Sequence, residues 1–180
     1  MFYDPAQLEE HLRQWEEQLE SAALPPWEAL PDLPLYMDQV LLLLEQYLPR
    51  ERFTASIVNN YVRMKVMPAP VKKKYTRVHL AYLIMICVLK QSLSIACIQR
   101  MLAMDLPPEQ LRYNDFVQRH HEISCYLAEQ LRAAAPPLFR FSQEEPVEVL
   151  AVGTALMANL TQSFTEQLLL WGASDAGSEQ

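Results

Sequence analysis

Apolar residues recur at spacings of three and four along most of this chain, the period of helices that bury one face. Asp4-Pro5 reads as an N-cap and first helical position. Leu8, Leu12, Trp15, Leu19 and Ala22 then form a stripe, with Glu9, Glu10, Glu16, Glu17 and Glu20 on the outer face. Leu35 to Leu48 is more continuously apolar, and its wide coverage predicts burial on more than one side. Thr54 caps the next helix, whose apolar face is Ile57, Val58, Tyr61 and Val62. Thr76 opens a helix over Arg77 to Lys90. Ser94 opens another over Ile95 to Met104, with Ile95, Ile98 and Leu102 inward. A partial stripe of Tyr113, Phe116, Val117, His120, Leu127 and Leu131 carries a helix to about Ala135. From Pro146, Val147, Leu150, Thr154, Met157, Thr161, Phe164, Leu168 and Trp171 form a heptad seam. No stretch alternates long enough to argue a sheet, so the expected fold is all-α.

Thirteen prolines against three glycines suit helices separated by stiff connectors, because proline cannot continue a helix. Residues 24–34 read as an extended connector pinned by Trp27. Met67 to Lys74 reads as a loop too short and rigid to bury much. The expected organisation is an N-terminal helix and connector at 1–34 and a central module at 35–104. C-terminal helices at 105–172 form a dimerisation or effector layer, and 173–180 is a disordered tail. Val78 to Leu89 is the densest apolar run, well short of the ~20 residues of a membrane span. With no secretory pattern at Met1-Phe2-Tyr3-Asp4, and Cys87, Cys97 and Cys125 unpaired in sequence, the expectation is a cytoplasmic protein with reduced thiols and no membrane contact.

Charge changes the picture most. The chain carries a net −7, yet residues 50–100 hold ten of its fifteen Lys and Arg and one acid, Glu51, a local +9. The remainder is −16. One basic segment in an acidic protein concentrates positive potential, and the commonest polyanion to meet it is a nucleic-acid backbone.

Within that segment the helix from Thr54 leaves Ser56, Asn59, Asn60 and Arg63 off its apolar face. Adjacent asparagines are poor helix formers and need a reason. One reason is base reading, since Asn pairs with adenine edges while Ser, Thr and Arg reach phosphate or guanine. The plainer one is that an Asn caps a neighbour or faces water. Lys65, Lys72, Lys73, Lys74 and Arg77 follow, positioned to neutralise phosphates beside such a helix. Tyr75 either donates to a phosphate or anchors the loop as a buried ring. Catalysis is not expected. His120 and His121 are adjacent and point about a hundred degrees apart. The three glycines, Gly153, Gly172 and Gly177, make no phosphate loop. No cofactor and no metal are called for.

The order Thr54-x-Ser56-x-x-Asn59-Asn60-Tyr61-Val62, Met67-Pro68, Lys73-Lys74-Tyr75, His79-Leu80-x-x-Leu83, Leu89-Lys90 and Ser94-Ile95-x-x-Ile98 resembles a family of uncharacterised bacterial proteins. Pro34-Leu35-Tyr36-Met37-Asp38-Gln39-Val40 belongs to the same pattern, and the resemblance covers about residues 24–104. That family is distantly similar to MerR-type winged helix-turn-helix regulators. The resemblance implies a first helix at Leu35 to Leu48, a recognition helix at Thr54 to Met64, a short basic wing from Lys65 extending to Arg77, and supporting helices at Arg77 to Lys90 and Ser94 to Leu102. The turn Pro49 to Phe53 is longer than the three or four residues usual in this motif, and the wing lacks a Gly-Tyr-Arg step. The implied partner is double-stranded DNA, read by a homodimer that regulates transcription. The DNA-contacting set would be Thr54, Ser56, Asn59, Asn60, Arg63, Lys65, Lys72, Lys73, Lys74, Tyr75 and Arg77. The alternative is a protein-interaction module on the same scaffold, its basic face docking an acidic partner. The Met, Phe and Trp content of the C-terminal helices also allows a small apolar effector, although core packing explains it equally.

Overall fold

The computed structural model describes residues 23–49, 51–103 and 108–132, with 13, 14, 17, 158, 161, 162 and 165 outside those stretches. A 3-10 turn at Trp27–Ala29 precedes α1 (Met37–Tyr47), α2 (Ala55–Arg63), α3 (Arg77–Leu89), α4 (Ile95–Ala103) and α5 (Glu109–Arg132). Among the described residues, β structure is confined to two isolated bridges, Leu35 with Tyr75 and Val71 with Lys74. The fold is all-α. The helix expected before residue 23, the seam at 147–171 with Gly153, and the tail lie essentially outside the described residues.

Helix starts follow local chemistry that occupies otherwise free N–H groups. Thr54 Oγ1 accepts from Ile57 N–H at 3.3 Å and opens α2. Ser94 Oγ accepts from Cys97 N–H at 3.3 Å and opens α4. At α1 the contact runs the other way, with Tyr36 N–H donating to Gln39 Oε1 at 2.9 Å.

The chain divides into two units, one of them Leu24–Val117. Its centre is α3, where His79, Leu80, Ala81, Leu83, Ile84, Met85, Ile86 and Cys87 are all buried. A helix apolar on every side belongs inside. Each fully buried Leu or Ile contributes roughly 1.5–3 kcal/mol. Val40 and Leu44 of α1, Val58 of α2 and Ile98 of α4 are sealed in the same unit. Burial pushes the Cys87 thiol up to about 12, so this sulfur stays protonated and unreactive. No helix among the described residues is long and apolar enough to cross a membrane.

Two expectations are corrected. Leu35 to Leu48 does not bury more than one side, because Leu42 is 71% exposed while Val40 and Leu44, one turn apart, are sealed. Leu35 itself lies before the helix, its N–H and C=O both paired with Tyr75 at 2.8 Å. Met67 to Lys74 buries little, as expected of so short a loop, with Met67 the one buried residue in it and Val66, just before it, also in the core. The stretch at 24–34, by contrast, is an integral part of its unit. Leu24 and Leu30 are buried. Tyr113 of α5 donates its hydroxyl to Pro25 O at 2.8 Å, and Trp27 N–H reaches Asn114 Oδ1 at 3.3 Å.

The second unit comprises Met1–Ala23 and Gln118–Gln180. In its described part Ser124 Oγ donates to His120 O at 2.8 Å, and the His121 ring lies 3.6 Å from Cys125 Sγ. The i, i+4 spacing of that last pair is legible in the sequence, since such residues meet on a helix surface. Among the described residues no group of three or more His, Cys, Asp or Glu could hold a metal ion.

Candidate functional site

Helix α2 buries Val58 and Tyr61 and turns the opposite side outward. Ser56, Asn59, Asn60 and Arg63 fall at i, i+3, i+4 and i+7, a single stripe. Ser56, Asn59 and Arg63 are exposed and Asn60 is half-buried. With Ile57 they line an open depression. The two asparagines are not equivalent. Asn60 Oδ1 accepts from Arg63 Nη2 at 2.6 Å, and Asn60 Nδ2 donates toward Met64 Sδ at 3.4 Å. The amide of Asn59 carries no hydrogen bond among the described residues. Thr54 spends its hydroxyl on the cap.

The helix ends in a Schellman motif. Val66 N–H donates to Tyr61 O and Lys65 N–H to Val62 O, both at 3.0 Å. The left-handed position of that motif usually holds glycine. Here Lys65 occupies it, with φ of 56°. A tight turn follows, in which Val71 and Lys74 exchange backbone hydrogen bonds at 3.2 and 3.0 Å. Lys72 (φ 50°) and Lys73 (φ 62°) form its corners. Two central residues at positive φ define a type I′ turn, where Asn-Gly is the preferred pair. Every non-glycine residue at positive φ among those described is therefore a lysine.

The base of this loop is fixed from three directions. Tyr75 is 3% exposed and pairs with Leu35. Its ring meets His79 edge-on at 5.5 Å between centroids. His79 Nδ1 accepts from Thr76 N–H at 3.0 Å, so Nε2 carries the proton and donates to Ala69 O at 3.2 Å. One buried imidazole thus ties the loop to the first turn of α3.

The basic residues divide into two groups. Lys65, Lys72, Lys73 and Lys74 are exposed and make no ion pair among the described residues. Lys74 Nζ lies 5.4 Å from the centre of the Tyr36 ring. Arg77 behaves differently. Its side chain is 22% exposed, sits 3.7 Å from Asp32 and lies over the Trp27 ring at 5.7 Å. Lys90 pairs with Glu51 at 2.8 Å and stacks over Phe53 at 5.7 Å. Desolvation pulls the Lys90 pKa down, but the hydrogen bond to Glu51 and neighbouring groups hold it above the ordinary lysine value.

Of the ten bases counted in sequence, Arg50 lies outside the described residues and two face inward. Arg52, Arg63, Lys65, Lys72, Lys73, Lys74 and Arg100 remain exposed. Arg77 and Tyr75 therefore sit apart from the exposed set. The partners that draw Arg77 inward, Asp32 and Trp27, are more than forty residues upstream, and nothing local pointed to them. The Asn60–Arg63 pair could have been found, since i, i+3 residues meet on a helix surface.

The chain belongs to the family described as Domain of unknown function (DUF1836), which matches residues 25–119. That stretch follows the compact unit Leu24–Val117 to within two residues at each end. No curated protein and no solved structure matches the chain.

Proposed function

We propose that this member of the DUF1836 family is a transcriptional regulator that binds double-stranded DNA, with α2 as recognition helix and the loop from Lys65 as a basic wing. The observation that carries the reading is the state of the four lysines. Lys65, Lys72, Lys73 and Lys74 are exposed and make no ion pair among the described residues, next to a helix whose outer stripe is Ser, Asn, Asn and Arg, while Arg77 and Lys90 of the same segment turn inward beside Asp32 and Glu51. Such lysines supply the counterion-releasing contacts that dominate duplex affinity, and an Asn- and Arg-bearing face supplies base readout. The scaffold has no catalytic part in this reading, and the protein binds paired half-sites as a homodimer.

The protein-interaction alternative draws support from Leu33, Leu42 and Val71, large apolar side chains left mostly in water. A gel shift on random duplex at low salt separates the two readings. The regulator shifts the duplex, and selection from a random library then enriches a sequence. The interaction module gives no shift, or one that heparin abolishes with no sequence enriched.

A further inference from the structure

Arg63 and Asn60 form a charge-assisted hydrogen bond of 2.6 Å across one helical turn. The orientation of the Asn60 amide follows from its partner. A guanidinium has no acceptor, so the atom facing Arg63 is oxygen and the nitrogen faces Met64. Bidentate reading of adenine needs both ends of an asparagine amide, one accepting from N6 and one donating to N7. At Asn60 both ends are engaged along the helix surface. At Asn59 neither end is engaged among the described residues.

The guanidinium has five N–H donors and gives one to Asn60, leaving four. A planar fork held by one edge is fixed in the orientation its other edge presents. The fork fits guanine, whose O6 and N7 are paired acceptors in the major groove.

We infer that Asn60 is a positioning residue that holds Arg63 as a preformed guanine-reading fork, and that Asn59 is the asparagine available to adenine. This rests on the duplex-binding function proposed above. Asn59 and Arg63 are four residues apart, about 6 Å along the helix axis. They therefore meet different base pairs, and the site they read holds a guanine and an adenine on neighbouring steps.

The test begins with duplexes selected by the wild-type protein from a random library. The enriched guanine is then replaced by 7-deazaguanine, which lacks N7 and keeps base pairing. Wild-type affinity should fall about tenfold. Arg63→Ala removes every donor to guanine at this position, so it should bind natural and 7-deaza duplexes equally. Asn60→Ala should keep the salt dependence and thermal stability of wild type while shrinking the 7-deaza penalty by several-fold. An Asn60→Ala protein that loses preference at an adenine, with the guanine penalty intact, overturns the positioning role. Enrichment of sites without guanine overturns the inference and leaves duplex binding standing. Failure to bind any duplex overturns both.

Discussion

Lys65, Lys72 and Lys73 hold backbone conformations that penalise a residue bearing a Cβ by about 1–2 kcal/mol each. The combined variant Lys65→Gly, Lys72→Asn, Lys73→Gly restores the residues that a Schellman motif and a type I′ turn prefer. The greater freedom of glycine in the unfolded chain offsets about 0.5–1 kcal/mol at each of two positions. The net expectation is a gain of about 2 kcal/mol. For a chain of this length that raises the Tm by about 4–8 °C. The same variant loses three exposed ammonium groups. If each contacts a phosphate, duplex affinity at 0.1 M salt falls by a factor on the order of 10². Circular-dichroism melts and fluorescence anisotropy on a labelled duplex read the two quantities. Stability and binding should move in opposite directions, which a merely disruptive change does not produce. A lower Tm would refute the assignment of strain. A higher Tm with undiminished binding would refute the role given to the lysines.

Arg77→Ala should lower the Tm through lost packing on Trp27 and the lost Asp32 pair, yet leave the salt dependence of duplex binding unchanged; a flattened slope would place Arg77 on the phosphates after all. Cys87 should resist a thiol reagent in the native protein and react only on unfolding, with the partly exposed Cys125 modified first; mass spectrometry of timed labelling checks the order. Burial, and then the neighbouring His121 charge, hold the His120 pKa below its ordinary 6.5. The unfolded chain therefore takes up a proton more readily, so the stability His120 contributes is present above pH 6.5 and is lost as pH falls through the lower folded value. Urea midpoints at pH 7 and pH 5 should differ less in His120→Gln than in wild type, and an unaltered difference would sink that assignment.

The helices were legible because their signals are local. Thr54 and Ser94 announce their caps, and the apolar spacing of Val58 with Tyr61 and Ile98 with Leu102 marks the inward faces. What was not legible depends on contacts distant in sequence. Nothing near Pro25 or Trp27 points to Tyr113 and Asn114, so residues 24–34 looked like a connector. Leu35 reads as helical from its neighbours, and only its pairing with Tyr75 keeps it extended. The lysine run concealed the tight turn for a different reason. Turn chemistry is recognised by Asn and Gly, and here lysines adopt the left-handed conformations instead. The candidate site was legible as a set of residue types. The inward fate of Arg77 and the inequality of Asn59 and Asn60 needed side-chain geometry.

The phosphate-contacting role of the lysines is tested most directly by the salt dependence of binding to a fixed duplex, measured between about 50 and 200 mM for the wild type and for Lys72→Ala/Lys73→Ala/Lys74→Ala. A plot of log affinity against log salt should be linear, and the variant's slope should be shallower by about 0.9 for each phosphate contact removed. Parallel lines for the two proteins, or a wild-type affinity indifferent to salt, would contradict it.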